Sequence, residues 1–494
     1  MSRIGINAAA LYVPPYRVRL DRLATWTGAD PEKLTAVVGR SFRMTGAHEN
    51  VYTMAAASIV RLIVQNDLDP RRIGFLAFGT ESSTDNAAGA VILKGLVNQA
   101  LAQLGRPLLP RDCEVPEFKH ACLGGVYALK AAARWLACDG RDREAIVATG
   151  DVAEYARGTT GEPTQGAGAV AFHVTADPAL LSLDFGRMGS SSAYRTVDFR
   201  KPARRHEAEG YAEGTERLHD FPVFNGKYST ACYTDAVVQA VRSLATRTGA
   251  EGGMLAALES ADHIVMHRPY RKMPSDGLAA IALTALLEAN TPELGAWLQE
   301  RRIDREAVLA ELAEGRDLWS EARERGIDAD AFPALNAALK AVRGDARMDA
   351  LVKAKLELGA APLMDLGNLY TASLPAWLLS LLETGAGEGK LTAGATVLAI
   401  GYGSGDAAEA LALTVQPGFE AAARRIDFAS ALADGVDLDQ AQYEALHDGR
   451  DVTLPVVARA PATSGGRFRI EKIGQTNTAA FQDIGIEYYG FDAS

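Results

Sequence analysis

The stretch FKHACLGGVYALK, residues 118–130, sets a cysteine between an extended charged approach and the start of an apolar helical pattern. Cys122 has two readings there. Free cysteines in a reducing compartment are most often small core residues. A cysteine at the first turn of a helix instead feels the positive end of the helix dipole and its free backbone N–H groups. That environment stabilises a thiolate, lowers the thiol pKa and offers donors to a thioester oxyanion. The stretch alone leaves both readings open.

Other polar residues fall where open α/β sheets bind ligands, beyond the carboxyl ends of their strands. Glu81 and Asp85 follow the buried run RIGFLAFGT, in TESSTDNA. A desolvated Glu81 would have a raised pKa and serve as acid and base near neutral pH; a solvated one would be an N-cap or surface carboxylate. His267 follows HIVM, in MHRPYRKM, and fits a structural role as well as a catalytic one. Arg271 and Lys272 beside it have the charge to grip a phosphate, or are simply solvated. Asn368 lies in LGNLYTASL and Ser404 in GYGSGD. The glycines of GYGSGD lack the spacing of a dinucleotide or P-loop fingerprint.

These residues need elements to position them. RIGINAAALYV, RIGFLAFGT and EAIVATGD read as strands, and GAGAVAFHVT with LLSLDFGRM as a closing pair. NVYTMAAASIVRLIVQN, AAGAVILKGLVNQALAQLG and CLGGVYALKAAARWLAC read as helices, the last opened by Cys122. The alternation predicts a mainly parallel, helix-covered sheet. The second half repeats the logic with the helix YSTACYTDAVVQAVRSLA, the strand HIVMHRPY and the strand ATVLAIGYGSGD. About residues 290 to 350 lies a polar stretch of helical period, expected to be a solvated helical hairpin without catalytic role. ATSGGRF near the C-terminus reads as a hairpin or loop.

Composition narrows the function classes. The 494 residues allow two to four domains or one duplicated fold. A net charge of −11 without a long Lys/Arg block argues against nucleic acid or an anionic membrane as partner. No apolar run reaches the roughly 18 residues of a membrane span, and Pro14 and Pro15 break the apolar N-terminus. The chain is expected to be cytoplasmic. Cys113, Cys122, Cys138 and Cys232 form no CxxC pair, so neither zinc nor a disulfide framework is suggested.

Taken together, the motifs LYVPPYRV, GTESSTD, FKHACLGG, GDVAEYARGTTGEPTQGAGAVAF, VDFRKP, DFPVFNGKYSTACY, HRPYRKM, GNLYTASL and GYGSGD span nearly the whole chain. In that order the sequence resembles the 3-hydroxy-3-methylglutaryl-CoA synthase family of the thiolase superfamily. The resemblance implies an α/β, five-layered αβαβα fold from two similar halves, with an added helical excursion. It puts Glu81 and Cys122 in a half spanning residues 1–185, and His267, Asn368 and Ser404 in a half spanning 186–494. It implies a homodimer, no metal or redox cofactor, and coenzyme A thioesters as substrates.

Carried over by motif, Cys122 is the acetyl-accepting nucleophile, Glu81 the general acid and base, and His267 the group orienting the second thioester. Asn368 and Ser404 bond the acetoacetyl group, Tyr155 lines the pocket, Gly166 shapes the acyl end and Lys272 lies near coenzyme A. The implied reaction condenses acetyl-CoA with acetoacetyl-CoA, as in the mevalonate pathway of isoprenoid synthesis. A related chemistry is β-branching on a carrier-protein-bound β-ketoacyl chain, with Arg204, Arg205, Arg268 and Arg271 at the docking mouth. A catalytically silent scaffold subunit fits the Cys122, Glu81 and His267 set least. Departures from the family pattern are Arg268 before the proline, Asp406 after GSG, the charged run KPARRHEAEGYAEGTERLHDFP and the long interval from His267 to Asn368.

Overall fold

The structure is a computed structural model describing residues 3–83, 88–198, 221–222, 225–249, 251–433, 435–450, 452–455 and 466–493. Asp85, Arg204 and Arg205, most of the charged run before Phe221, and residues 462–465 of ATSGG lie outside that set. Along the chain the first strands are β1 (Ile4–Tyr12), β2 (Tyr16–Arg19), β3 (Ser41–Met44), β4 (Ile73–Gly79), β5 (Glu117–Phe118), β6 (Glu144–Ala153) and β7 (Gly166–Ala176). They are followed by β8 (Leu181–Ser192), β9 (His263–Met266), β10 (Thr396–Gly403), β11 (Ala407–Val415), β12 (Val436–Asp437), β13 (Arg467–Ile473) and β14 (Glu487–Asp492). The helices that matter here are α1 (Val51–Gln65), α2 (Gly89–Gln103), α3 (Gly124–Ala137), α4 (Gly226–Thr248) and α5 (Lys272–Ala289). Then come α6 (Pro292–Arg301), α7 (Arg305–Glu311), α8 (Leu318–Arg325), α9 (Pro333–Ala341), α10 (Ala346–Leu356) and α11 (Ser373–Glu388).

Among the described residues nine strands form one sheet, in the order β5-β4-β6-β7-β1-β8-β11-β10-β9. The sheet is mixed, not mainly parallel. β4 pairs in parallel with β5 and β6, and β9 with β10; the other neighbours are antiparallel. The connections explain this. β6 to β7 and β10 to β11 are joined without a crossover helix, and a parallel pair needs one. The expected closing pair is also split, because β1 lies between β7 and β8. β1 meets β8 at only two residue pairs, Gly5–Ser182 and Ile6–Leu181, which is the seam between the two halves.

Helices cover both faces. α1 and α2 pack with one side of β1, β4, β6 and β7 in one apolar core. α3 and α11 lie between the half-sheets, and α4 and α5 cover the far side of the second. α1 begins where Asn50 accepts from the N–H groups of Tyr52 and Thr53 while the Thr53 hydroxyl accepts from the Asn50 N–H, a reciprocal cap. A buried ion pair of Lys130 on α3 and Glu409 on β11, 2.5 Å apart, ties the inner layer to the second half-sheet. No helix of the described residues is long and apolar enough to cross a membrane.

The stretch expected as a solvated hairpin is five helices, α6 to α10. Leu294, Val308, Leu318, Leu335 and Leu351 from these helices are buried in the main core. The sequence there reads as polar because the helices are short and four of the five present only one or two apolar residues inward, α10 presenting four. Asp304, Asp317 and Asp345 cap three of the starts. The last elements return to the first half. β12 pairs with β2, and the β13–β14 hairpin packs on α1 and α2.

Candidate active site

Cys122 sits at the end of the extended approach, two residues before the helix. α3 starts at Gly124 with Leu123 as its N-cap. The two glycines allow that start to seat closely. A Cβ at Gly125 would lie 2.5 Å from Thr149 and 3.0 Å from the Thr371 carbonyl oxygen. Ala121, just before the cysteine, has φ of +41°, a left-handed conformation that costs an L residue about 1–3 kcal/mol. The Cys122 thiol donates to Glu81 Oε1 over 3.3 Å.

This geometry reverses the expected titration. Burial pushes the Cys122 thiol well above its ordinary pKa, and the negative charge of Glu81 pushes it further. The helix dipole does not win, because its field is concentrated within the first turn and Cys122 precedes that turn. The thiol is protonated at rest, with its proton directed at a carboxylate.

Glu81 is held by Asp151. Thr80 and Ser82 hydroxyls and the N–H groups of Glu81 and Ser82 donate to Asp151 Oδ1 at 2.7–2.9 Å. The N–H and hydroxyl of Thr371 donate to Oδ2 at 2.9 and 2.5 Å. Burial raises the Asp151 pKa and these bonds oppose the rise. One buried carboxylate thus fastens the Glu81 loop of the first half to the Tyr370–Thr371 turn that follows Asn368. Tyr370 itself has φ of +44°.

Asn368 is buried, and its Oδ1 accepts from the Tyr370 N–H at 2.9 Å and the Ser373 hydroxyl at 3.0 Å. Its Nδ2 faces the Tyr155 hydroxyl at 3.5 Å. Gly166 opens β7 directly beneath. A Cβ there would lie 2.4 Å from the Asn368 carbonyl oxygen, so the strand approaches this turn only as glycine. His267 follows β9, with its N–H bonded to the Ile400 carbonyl at 2.8 Å and its ring tilted against Tyr402. Burial pushes its pKa down to about 3. The imidazole is neutral at physiological pH, with one nitrogen a donor and the other an acceptor.

A cavity of about 210 Å³ collects these groups. Cys122, Tyr155, His267, Asn368, Tyr402 and Ser404 are on its wall. Glu81 stands behind Cys122, Gly166 under Asn368, and Lys272 outside, paired with Asp276 at 2.6 Å on a neighbouring groove. Asp198 also reaches the wall; it accepts from the Tyr402 hydroxyl at 2.7 Å and from the Gly405 N–H at 3.3 Å. Asp406 is buried behind Ser404, 3.5 Å from Arg195 Nε, and burial pushes its pKa up to about 7 against the pull of Arg195.

Arg268 is not at any mouth. It is buried, and its guanidinium donates to the Leu363 carbonyl at 2.9 Å beneath the segment leading to Asn368. That corrects its place in a carrier-docking rim. Asp151, Asp198, Tyr370 and Thr371 were missed from sequence. Asp151 had a visible signal, a lone carboxylate inside the apolar strand EAIVATGDVA. The others sit in VDFRKP and GNLYTASL, where burial could not be read.

Comparison with known proteins gives the chain's family. Residues 1–179 match the family "Hydroxymethylglutaryl-coenzyme A synthase N terminal", and residues 215–318 match its C-terminal counterpart. The chain is 30% identical over 440 residues to the hydroxymethylglutaryl coenzyme A synthase of Fusarium sp, covering 86% of this chain and 85% of that protein. It is 26% identical over 448 residues to the hydroxymethylglutaryl-CoA synthase of Enterococcus faecalis, covering 90% and 91%. A solved structure of MvaS in complex with 3-hydroxy-3-methylglutaryl coenzyme A superimposes with a TM-score of 0.73 at 29% identity, over 100% of both chains.

Proposed function

This chain belongs to the hydroxymethylglutaryl-CoA synthase family, and from that premise we infer that it condenses acetyl-CoA with acetoacetyl-CoA to 3-hydroxy-3-methylglutaryl-CoA. The observation that carries the mechanism is the 3.3 Å contact between the Cys122 thiol and the Glu81 carboxylate. Cys122 sulfur attacks the acetyl carbonyl, its proton passes to Glu81, and Glu81 hands that proton to the departing sulfur, so coenzyme A leaves as the thiol and Glu81 is again ionised. Glu81 then removes a methyl proton from the acetyl thioester. The resulting carbanion attacks the ketone of acetoacetyl-CoA, and Glu81 returns the proton to the new alkoxide. Water hydrolyses the thioester to Cys122.

The raised thiol pKa leaves little thiolate before substrate binds, so Glu81 speeds the first step by taking the thiol proton, a step that a solvent base serves more slowly in its absence. Neutral His267 has an N–H to donate to the thioester oxygen of the second substrate, and Asn368 Nδ2 a second donor. Ser404, on the same wall, bonds the acetoacetyl oxygens. A homodimer and a cytoplasmic setting belong to the same reading. For the dimer, the support is that β5 ends the sheet with an open edge among the described residues. Half-buried Phe118, Tyr127 and Trp135 accompany that edge.

The test gives purified protein acetyl-CoA, with and without acetoacetyl-CoA, and follows Cys122 and products by mass spectrometry. Cys122→Ala should take up no acetyl group. Glu81→Ala should still be acetylated, because removing the neighbouring charge eases thiol ionisation, but condensation should fall roughly 10²–10⁴-fold. Condensation at the wild-type rate in Glu81→Ala would sink the acid/base role. Turnover only with an acetoacetyl carrier protein would favour β-branching.

A further inference from the structure

The helices α9 and α10 border a groove of about 990 Å³ that shares Thr160 with the cavity around Cys122. Its floor is α4 and α5, with Lys227, Thr230, Lys272 and Ser275; its far wall is α9 and α10, with Leu335, Leu339, Val352 and their flanks. The catalytic cavity, at about 210 Å³, holds an acyl group and the thiol end of a pantetheine arm. The remainder of a coenzyme A thioester, an adenine nucleotide with three phosphates, must lie outside it.

The groove has the chemistry for that remainder. Aliphatic side chains on one wall offer a surface to a base, and five cations surround it in a chain whose net charge is −11. Three of the cations are engaged. Lys272 pairs with Asp276, Lys353 with Asp349 at 2.8 Å, and Lys227 donates to the Asp328 carbonyl at 3.0 Å. The third carboxylate, Asp330, accepts from Asn336 and from the Phe332 N–H. Lys340 and Arg343, at and just beyond the end of α9, are exposed and make no ion pair or side-chain hydrogen bond among the described residues.

We propose that Lys340 and Arg343 bind the phosphates of coenzyme A, so that the helical excursion selects nucleotide-bearing thioesters over carrier-protein-bound ones. The proposal rests on the thioester reading of the Cys122 site. A carrier protein presents one phosphate and no nucleotide, and its own surface would have to displace the excursion to bring the arm to Thr160.

The test compares wild type with K340E/R343E, and with K340Q/R343Q as a milder variant should charge reversal unfold the chain. Acetylation of Cys122 is followed with acetyl-CoA, acetyl-pantetheine and an acetyl carrier protein, and binding of unacylated coenzyme A and pantetheine by calorimetry. KM for acetyl-CoA should rise roughly 10- to 100-fold at unchanged kcat, as expected for losing charge-assisted phosphate contacts, while acetyl-pantetheine kinetics stay put. The wild-type KM should climb with salt more steeply than the variant's. An unchanged KM for acetyl-CoA, or equal losses with acetyl-pantetheine, overturns the proposal. So does a carrier protein that outcompetes acetyl-CoA in wild type and loses activity in the variant. If wild type is acetylated by none of the donors, the condensing reading fails instead. The calorimetry then still decides the groove: weaker coenzyme A binding in the variant with pantetheine unaffected supports it, and equal coenzyme A affinity overturns it.

Discussion

Replacing Asp151 tests whether one buried carboxylate holds the site together. In Asp151→Ala three donors, the N–H groups of Glu81 and Thr371 and the Thr80 hydroxyl, lose their acceptor, while the Ser82 N–H keeps Thr80 Oγ1 at 3.0 Å. The other two hydroxyls have somewhere to turn, since Thr371 already reaches the Gly79 carbonyl at 3.0 Å and Ser82 the Val152 carbonyl at 3.5 Å. Each stranded buried donor costs about 1–3 kcal/mol, so the alanine variant loses about 3–9 kcal/mol, less the relief of no longer burying a charge. That is a large part of the about 5–15 kcal/mol that holds a typical domain folded. Asp151→Asn keeps one acceptor oxygen and turns its amide toward the Thr371 N–H, stranding one donor at about 1–3 kcal/mol. Denaturant midpoints should rank wild type, then Asn, then Ala, with Cys122 acetylation falling in the same order as the Glu81 loop loosens. Equal loss in the two variants, or an alanine variant within a few tenths of a kcal/mol of wild type, would refute the reasoning.

Gly166→Ala should displace the Asn368 turn, because its Cβ would lie 2.4 Å from the Asn368 carbonyl oxygen, and cost about 1–3 kcal/mol of stability. Condensation should fall, while Gly95→Ala on α2, whose Cβ meets open space, should melt no lower than wild type; wild-type kinetics in Gly166→Ala would contradict this. Asp406 carries a pH signature. Its folded pKa of about 7 lies above the ordinary value of 3.8, so its stabilising effect is complete below about pH 4 and is lost as pH rises toward 7. The melting temperature of Asp406→Asn minus that of wild type should therefore grow between pH 5 and 8. A flat difference would mean that Asp406 ionises normally.

Legibility from sequence followed how local the determinant was. Strands such as Ile73–Gly79 and the helix Val51–Gln65 were readable because their apolar pattern and caps lie within a dozen residues. The parallel bias was misread because pairing depends on which strand lies between two others, and β1 enters between β7 and β8 from the far end of the chain. Cys122, His267, Asn368, Ser404 and Tyr155 share one cavity wall, and Glu81 touches the cysteine. The direction of the Cys122 pKa was not readable. It hangs on two residues of helix start and on a carboxylate 41 positions away. The excursion was misjudged because its apolar residues are sparse in four of its five short helices and find their partners far along the chain, in α5, β9 and their neighbours.

The C-terminal hairpin has a consequence for how the chain is made. The Ile470 N–H bonds to the His48 carbonyl at 2.9 Å, and the Tyr489 hydroxyl accepts from Asn50, the residue that caps α1. The earliest helix of the first core is therefore completed by a residue 439 positions further along the chain. At about 5–20 residues per second, translation takes tens of seconds between the two. Throughout that time α1 and α2 display the apolar flank that, among the described residues, β13 and β14 cover. A ribosome stalled short of the C-terminus would release a chain with that flank open, suited to chaperone capture and to aggregation. The catalytic pocket, built from both halves, closes only after Ser404 has been made.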